Sequence, residues 1–423
     1  MSASFERGQD VLREVLDAPI ASFFSSCVHC GLCADACLFY TETGDPKYTP
    51  IHKLEPLKRL WQREYTLLGR LGGMLGLVKP LTEKDFEEWS ELVYDSCTLC
   101  GRCSVACPVG NDITYMVRKL REGLAVAGQA PPGLVDATKR TIETGGPMGV
   151  RAPAFLKIVK AQAAEAGVDI PVDREGVDYL IIMSSMEIMG YPEYLGSLAR
   201  ILDQAGKTFT VSAEAFEATN SGIQIGVSDL AKEIVGRIVD VAERLKVKCV
   251  ISPECGHAYT ALRWEGPNLL GRPYGFDVQH VLEVLDQLER AGLLPTEGKT
   301  EEPVTFHDPC QVVRRGGVVS EPKKLLAKVA SDIHEMEDAG VWNWCCGGGG
   351  GVSANPRAED LRLKVFERKK RQVEGTGVKT MVTSCANCRN MLEDGIEHYN
   401  MDVKVIGLTE LVAERLKAKE APQ

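Results

Sequence analysis

Two copies of one cysteine pattern near the N-terminus constrain this chain more than any other feature. Each copy has the spacing C-x2-C-x2-C-x3-C: Cys27, Cys30, Cys33 and Cys37 form the first, and Cys97, Cys100, Cys103 and Cys107 form the second. So short a loop lets each sulfur reach a different corner of one compact inorganic group. Disulfides are the alternative, but disulfide-rich chains are mostly small secreted domains and this chain has 423 residues. We therefore predict that these thiolates bind metal clusters that carry electrons.

The same spacing is typical of two-cluster bacterial ferredoxins. In those proteins three cysteines of one loop hold a 4Fe–4S cluster, and the fourth cysteine binds the other cluster. Applied here, this rule predicts two 4Fe–4S cubane clusters. One would be held by Cys27, Cys30, Cys33 and Cys107, and the other by Cys97, Cys100, Cys103 and Cys37.

Charge and hydropathy exclude several classes of partner and location. The net charge of −10 argues against a nucleic-acid partner. The first residues contain no apolar signal-peptide core. The most apolar stretch, residues 67–78, is interrupted by Arg70 and glycines and is shorter than the roughly 20 residues of a spanning helix. We expect a cytoplasmic protein, or one attached peripherally to the cytoplasmic face of the inner membrane.

The organisation of the chain changes after the second cysteine pattern. Apolar residues at three- and four-residue spacing predict an all-α domain over residues 1–125, and a run rich in Gly and Pro predicts a linker or packing arm over 126–175. Short apolar runs then alternate with amphipathic helices in two copies, 176–295 and 296–423. The predicted fold class is α + α/β, with a duplicated α/β domain. Its predicted strands are 178–184, 207–212, 248–252, 303–307, 333–336 and 378–384.

The second α/β copy carries a further set of cysteines at loop positions: Cys310, Cys345, Cys346, Cys385 and Cys388. Ligands gather at the carboxyl ends of parallel strands, so we expect these side chains to converge. The run Gly347–Gly351 would let the backbone approach a bulky inorganic group. Adjacent cysteines rarely face one cubane, which indicates an unusual cluster. A tetrahedral zinc site is the alternative, and it would leave a fifth cysteine unexplained.

The spacing of these cysteines resembles the cysteine-rich CCG domain of heterodisulfide reductases. The N-terminal half is similar to the small two-cluster subunit of those enzymes, so the chain resembles an HdrC/HdrB fusion of the HdrD-like type. Its order and length resemble subunits of sulfite-reductase-linked and tetrahaem-cytochrome membrane complexes, and residues 306–310 and 345–351 are also typical of lactate- and glycolate-oxidising relatives. The resemblance implies a noncubane 4Fe–4S cluster, at which a disulfide is cleaved. Its ligands would be Cys310, Cys345, Cys346, Cys385 and Cys388.

The resemblance also implies a function. The chain would be an enzyme subunit of sulfur metabolism that passes electrons through two cubanes to the noncubane cluster. There it would reduce or form a disulfide or trisulfide of a small molecule or protein. Its partners would be the other subunits of a membrane-bound redox complex, such as a cytochrome or quinone-reactive subunit. The alternative is an electron-transfer module for a quinone-linked membrane complex or a flavin-dependent lactate- or glycolate-type dehydrogenase.

The first α/β copy has lost most of the equivalent cysteines. Ser184 and Ser185 fall near the position of Cys310, so this copy should hold no cluster of its own. Its loop retains Cys255, which sequence alignment places opposite Cys388, and His257 follows two residues later.

Pseudo-symmetry between the copies should bring this loop beside the intact site. We predict that Cys255 is an additional ligand or an exchanging thiol, and that His257 donates a proton to a departing thiolate. Packing roles are the alternative for both residues. Near the intact site, His307 is a candidate for a hydrogen bond to a cluster sulfur, and Arg314 and Arg315 are candidates for orienting an anionic substrate or a partner's tail. A solvated basic loop is the alternative for the two arginines.

Overall fold

The computed structural model describes residues 2–418, which form two compact units. Unit 1 contains the chain up to Asp136 together with two short segments, Ser221–Ser228 and Gly347–Arg368. Unit 2 contains Ala137–Asn220, Asp229–Cys346 and the chain from Lys369 onward. Among the described residues, no helix is both long and apolar enough to cross a membrane.

Unit 1 is helical, and its described residues contain no strand. Its helices are Ala3–Glu14, Ala18–Ser26, Leu32–Asp35, Leu38–Thr43, Pro50–Lys53, Glu55–Tyr65, Leu67–Met74, Glu83–Ser90, Arg102–Val105, Ile113–Val126 and Ser221–Ile225. One turn of π-helix, Glu91–Asp95, precedes the second cysteine loop. This confirms the predicted all-α N-terminal region.

Close packing of two long helices fixes the core of unit 1. Ala3–Glu14 lies against Ile113–Val126 with Gly8 and Gly123 at the crossing. A Cβ atom at Gly8 would lie 2.6 Å from the carbonyl oxygen of Gly123, so only glycine permits this approach. The second helix begins where the Asp112 carboxylate accepts a hydrogen bond from the Tyr115 amide at 3.2 Å, directly after the second cysteine loop.

Unit 2 contains two small parallel sheets. The first has the order β2-β1-β3-β4 and the second the order β5-β6-β7. The strands are β1 (Tyr179–Ile181), β2 (Phe209–Thr210), β3 (Cys249–Ser252), β4 (Asp277–His280), β5 (Val304–His307), β6 (Thr380–Thr383) and β7 (Lys404–Gly407). In the first sheet β2 pairs with β1 at the edge. At the equivalent edge of the second sheet, only Ile333 pairs, through a single parallel bridge to Val304 of β5. The matching order supports the predicted duplication, and the α + α/β fold class is confirmed.

Helices cover both sheets and join them through one hydrophobic core. Those lying in unit 2 or extending into it are Pro132–Thr144, Ala152–Ala166, Ser185–Gly190, Glu193–Gln204, Ser228–Arg244, Gly256–Thr260, Gly266–Leu270, Val281–Arg290, Glu321–Val329, Glu359–Thr376, Ala386–His398 and Leu408–Glu414. Single turns of π-helix occur at Ala261–Glu265 and Gln311–Arg315.

Two details differ from the sequence-based expectations. Residues 126–175, which we expected to be a linker or packing arm, contain two helices, and Phe155 of the second is fully buried and stacked on Phe216. Pro132 and Pro153 lie in first helical turns, and Gly145 and Gly167 directly follow helix ends, so these residues mark the boundaries of helices. The strand predicted at 333–336 is reduced to the single bridge at Ile333.

Candidate functional site

The eight N-terminal cysteines line two separate cavities in unit 1. One cavity is lined by Cys27, Cys30, Cys33 and Cys107. The other is lined by Cys37, Cys97, Cys100 and Cys103. The fourth cysteine of each pattern is therefore exchanged between the cavities, which is the grouping that the ferredoxin rule predicts. All fifteen cysteines lie within the described residues and are free thiols, which disagrees with the disulfide alternative.

The two cysteine loops have the same backbone conformation. His29 and Leu99, each just before the second cysteine of its loop, have φ of 55° and 56°. The glycines after those cysteines, Gly31 and Gly101, have φ of 85° and 77°. Left-handed conformations at non-glycine residues are strained and persist only where the surroundings require them. Here they turn successive sulfurs toward one point, which suits a compact cluster.

The electrostatic surroundings of the two cavities differ. Cys30 is exposed, and its neighbour His29 lies 3.3 Å from the Lys58 ammonium near the surface. At the second cavity Lys53 is buried, with its Nζ atom 3.8 Å from the Cys37 sulfur and donating to the Ser96 carbonyl. A buried cation stabilises negative charge on the sulfurs more strongly than a solvated one.

A second buried cation links this cavity to the glycine run. The guanidinium of Arg121, which is fully buried, donates to the Cys97 carbonyl at 2.7 Å and to the Gly350 carbonyl at 2.6 Å. Gly350 has φ of 60°, and a Cβ atom there would lie 2.8 Å from the carbonyl carbon of Thr98. At this position the glycine run therefore approaches the backbone of the second cysteine loop. The expectation that its glycines serve approach to an inorganic group is thus incorrect for Gly350, because protein backbone occupies that side.

The five cysteines of the second α/β copy are all buried in unit 2 and lie in two neighbouring groups. The Cys310 and Cys345 sulfurs are 3.9 Å apart. The Cys346 sulfur, the Cys388 sulfur and a ring nitrogen of His307 all lie within 4.8 Å of one another. Cys388 is also hydrogen-bonded to Cys385. The vicinal pair Cys345–Cys346 joins the two groups, so the predicted convergence is observed.

Two basic side chains accompany these sulfurs. His307 is fully buried, and neither ring nitrogen has a hydrogen-bond partner in the described part of the chain. Burial lowers the pKa of His307 well below its ordinary value, so the ring is neutral. Burial also lowers the pKa of Lys369 to about 8, against the attraction of the Cys346 and Cys345 thiolates. A neutral imidazole and a buried ammonium suit hydrogen bonding to an anionic sulfur group.

Arg314, which we expected to orient a substrate, instead forms hydrogen bonds within the protein. Arg314 donates to the carbonyls of Val341 and Asn343, both at 2.6 Å. These residues immediately precede Trp344 and the vicinal cysteines. Arg314 therefore fixes the loop that carries Cys345 and Cys346.

The loop of the first copy lies beside this site. The backbone amide of Gly256 donates to the Cys385 sulfur, and Gly256 packs directly against Gln311, the residue after Cys310. Cys255 itself is buried, and burial followed by the charge of Cys385 raises the pKa of its thiol. His257 is half-buried in the first turn of the same helix. Pseudo-symmetry thus correctly anticipated the position of this loop.

One part of that alignment was wrong. Cys255 is the N-cap of the helix Gly256–Thr260, and Cys385 is the N-cap of the helix Ala386–His398. Cys255 therefore corresponds to Cys385, not to Cys388. The observed strands end at Ser252 and Thr383, two residues away from the register assumed in the sequence alignment, and the loop between strand and helix has one residue more in the first copy. The other lone cysteine, Cys249, is buried within β3, where burial raises its pKa to about 12, and its position is that of a packing residue.

A cluster of buried carboxyl groups beside the site was missed by sequence reasoning. Glu187 accepts a hydrogen bond from the Ser184 amide at 2.7 Å, and Glu254 accepts one from the Thr409 hydroxyl at 2.8 Å. Burial raises the pKa of both groups well above the ordinary value, and it raises the pKa of Glu410 to about 7. Burial therefore favours the protonated form of each of these carboxyl groups. The only sequence signal was the Ser184–Glu187 capping box, which gives no indication of burial.

Comparisons with known proteins agree with this arrangement. Residues 24–111 match the 4Fe-4S dicluster domain family, and residues 304–393 match the cysteine-rich CCG domain family. The chain is thus an iron–sulfur electron-transfer oxidoreductase built from a ferredoxin-type part and a CCG part.

Curated relatives extend over nearly the whole chain. The Hdr-like menaquinol oxidoreductase iron-sulfur subunit 2 of Archaeoglobus fulgidus is 27% identical over 93% of this chain and 80% of its own length. A subunit of the dihydromethanophenazine:CoB--CoM heterodisulfide reductase of Methanosarcina barkeri is 26% identical over 92% of this chain and 93% of its own length. The EtfAB:quinone oxidoreductase of Syntrophomonas wolfei is 25% identical over 88% of this chain and 55% of its own length. Over nearly its whole length the chain is therefore similar to HdrD-like iron–sulfur subunits.

Proposed function

We propose that this chain is the subunit of a multi-subunit redox complex in which a disulfide is reduced or formed at the CCG cysteines. The observation that carries the proposal is the convergence of five buried sulfurs with the N-terminus of the helix that Cys255 caps. An electron-transfer relay needs only the cluster. A thiol and helix amides beside the cluster suit a site where a substrate sulfur is bound and protonated.

The residues fit the implied cofactors. Two exchanged sets of four cysteines suit two cubane 4Fe–4S clusters, and the five buried cysteines suit a noncubane 4Fe–4S cluster. Tetrahedral zinc remains a poorer fit, because it would use four of the five sulfurs. When bound, the clusters would supply single electrons at separate sites.

The proposed reaction balances as RSSR′ + 2 e⁻ + 2 H⁺ → RSH + R′SH, and it runs in reverse for disulfide formation. The S–S bond is broken, and each sulfur takes one electron and one proton. The electrons come from a reduced quinol- or flavin-type donor bound to a partner subunit.

The chain's own residues would stabilise the substrate's sulfur as a thiolate and donate protons to it. The Gly256 amide and the Lys369 ammonium would stabilise a thiolate. Glu254, next to Cys255 in the chain, is a candidate proton donor to the departing sulfur, since burial raises its pKa well above the ordinary value, and His257 is the second candidate. Burial of Gly256, Lys369 and Glu254 excludes water from the reacting sulfurs.

A second function is favoured by the relative from Syntrophomonas wolfei, which is named an EtfAB:quinone oxidoreductase. On this alternative the chain would relay electrons and bind no disulfide. The likeness to sulfite-reductase-linked or tetrahaem-cytochrome complexes, and the location on the cytoplasmic face of the inner membrane, remain predictions.

Cys255→Ala separates the two functions. We expect this variant to lose most disulfide turnover while keeping the cubane spectra and the rate of donor-driven reduction of the clusters. Cys249→Ala is the matched control, since Cys249 is a buried cysteine of the same α/β copy and should leave turnover unchanged. Full turnover in Cys255→Ala would remove Cys255 from the reaction, and a wild-type protein that turns over no disulfide would favour the relay.

A further inference from the structure

One helix of unit 1 buries its glycines and exposes its large apolar side chains, the opposite of the usual arrangement. In Leu67–Met74 the buried positions are glycines, Gly69 and Gly72, and the large apolar side chains point outward. A Cβ atom at Gly69 would lie 1.8 Å from the Gln62 carbonyl oxygen, so this helix packs through its glycines against the preceding one. Surface helices normally bury their leucines instead.

The exposed side chains form a continuous apolar surface over the helix and the turn after it. We name it the leucine surface; its members are Leu67, Leu68, Leu71, Met74, Leu75 and Leu77. Leu68 is 81% exposed and Leu77 is 78% exposed. Single exposed leucines are ordinary, but a contiguous group of this size marks an interaction site. Because these side chains are exposed, they contribute little to the stability of the fold and are available for contact with another surface.

The charge around the leucine surface indicates what covers it. Residues 65–82 contain no Asp or Glu, whereas the chain as a whole has 59 acidic residues against 49 basic ones. The charged side chains in this segment are Arg70 and Lys79, and both are exposed. The cores of protein interfaces are enriched in aromatic residues, whereas all six members of the leucine surface are Leu or Met and the exposed Tyr65 precedes them in the chain. An aliphatic surface flanked by two cations instead suits a bilayer with anionic headgroups.

We propose that the leucine surface inserts into the headgroup and upper acyl region of an anionic lipid bilayer. The helix has eight residues and is about 12 Å long, so it would lie in the interface and not span it. Arg70 and Lys79 would contact lipid phosphates. The proposal goes beyond the proposed function, because it gives this chain a lipid contact of its own, independent of any membrane subunit.

Flotation with vesicles tests the proposal on the full-length, cluster-loaded chain. We expect it to float with phosphatidylcholine vesicles containing phosphatidylglycerol and to bind more weakly to phosphatidylcholine alone. Leu68→Glu with Leu75→Glu should lower the bound fraction at least about tenfold on both vesicles. Arg70→Gln with Lys79→Gln should weaken binding only to the anionic vesicles.

Ile142→Glu is the matched control, because Ile142 is a single exposed aliphatic residue outside the leucine surface. It should float as the wild type does. Unchanged cluster absorption and circular dichroism would show that the exposed substitutions leave the fold intact. Absence of flotation with either vesicle would overturn the proposal. So would a wild-type dimer that the two leucine substitutions dissociate, since a second copy would then cover the surface.

Discussion

Replacing Lys53 by Met should lower the reduction potential of the cluster at the second cavity. The Lys53 ammonium is buried and lies 3.8 Å from the Cys37 sulfur. An added electron is spread over the cluster, so its mean distance from the ammonium is roughly 6 Å, and with an effective dielectric constant of about 20 the attraction is about 2–3 kcal/mol. This corresponds to roughly 100 mV for one electron. Met keeps the apolar length of the side chain and removes only the charge.

Redox titration monitored by electron paramagnetic resonance measures this shift. Lys58→Met is the matched control, since Lys58 lies near the exposed first cavity, where solvent screens its charge; it should shift either potential much less. We expect the Lys53 variant to move one of the two cubane potentials and to leave the other in place. An equal shift in the reduction potentials of both clusters would refute the assignment of Lys53 to the cavity of Cys37. A shift in potential no larger than that of the Lys58 control would also refute it.

Two other predictions concern protons and metal content. Burial raises the pKa of Glu410 from 4.5 to about 7, so the folded state binds this proton more tightly than the unfolded state, and its contribution to stability is lost as pH rises from about 4.5 to about 7. Glu410→Gln should therefore flatten the pH dependence of the denaturation midpoint over that range, and an unchanged slope would contradict it. Iron analysis of anaerobically purified protein should give about twelve irons per chain, and about eight would mean that the CCG cysteines hold no iron–sulfur cluster.

Much of the architecture was predictable because the signals are local. The exchange of Cys37 and Cys107 between cavities follows from spacing alone, and the main strands follow from short apolar runs. The edge strands β4 and β7 were not predicted. In each, only two of the four residues are fully buried, so the apolar run is too short to distinguish from a loop.

Features that depend on tertiary packing were hidden from the sequence. The left-handed conformations of His29 and Leu99 have no residue-type signal, since neither is glycine. The contact of Gly350 with the loop at Thr98 joins segments that are far apart in the chain. The raised pKa of Glu410 arises from burial, which composition does not reveal. The duplication gave a route to one further long-range feature, the position of the loop that carries Cys255.

The central claim is that the CCG cysteines hold a cluster that a substrate sulfur contacts. Electron paramagnetic resonance of the oxidised protein, titrated with small thiols, tests it most directly. We predict a signal that appears only with a thiol, persists in Cys100→Ala, where one predicted cubane ligand is lost, and disappears in Cys310→Ala. A thiol-dependent signal that requires Cys100 and survives loss of Cys310 would contradict the account, as would the absence of any thiol response in fully loaded protein.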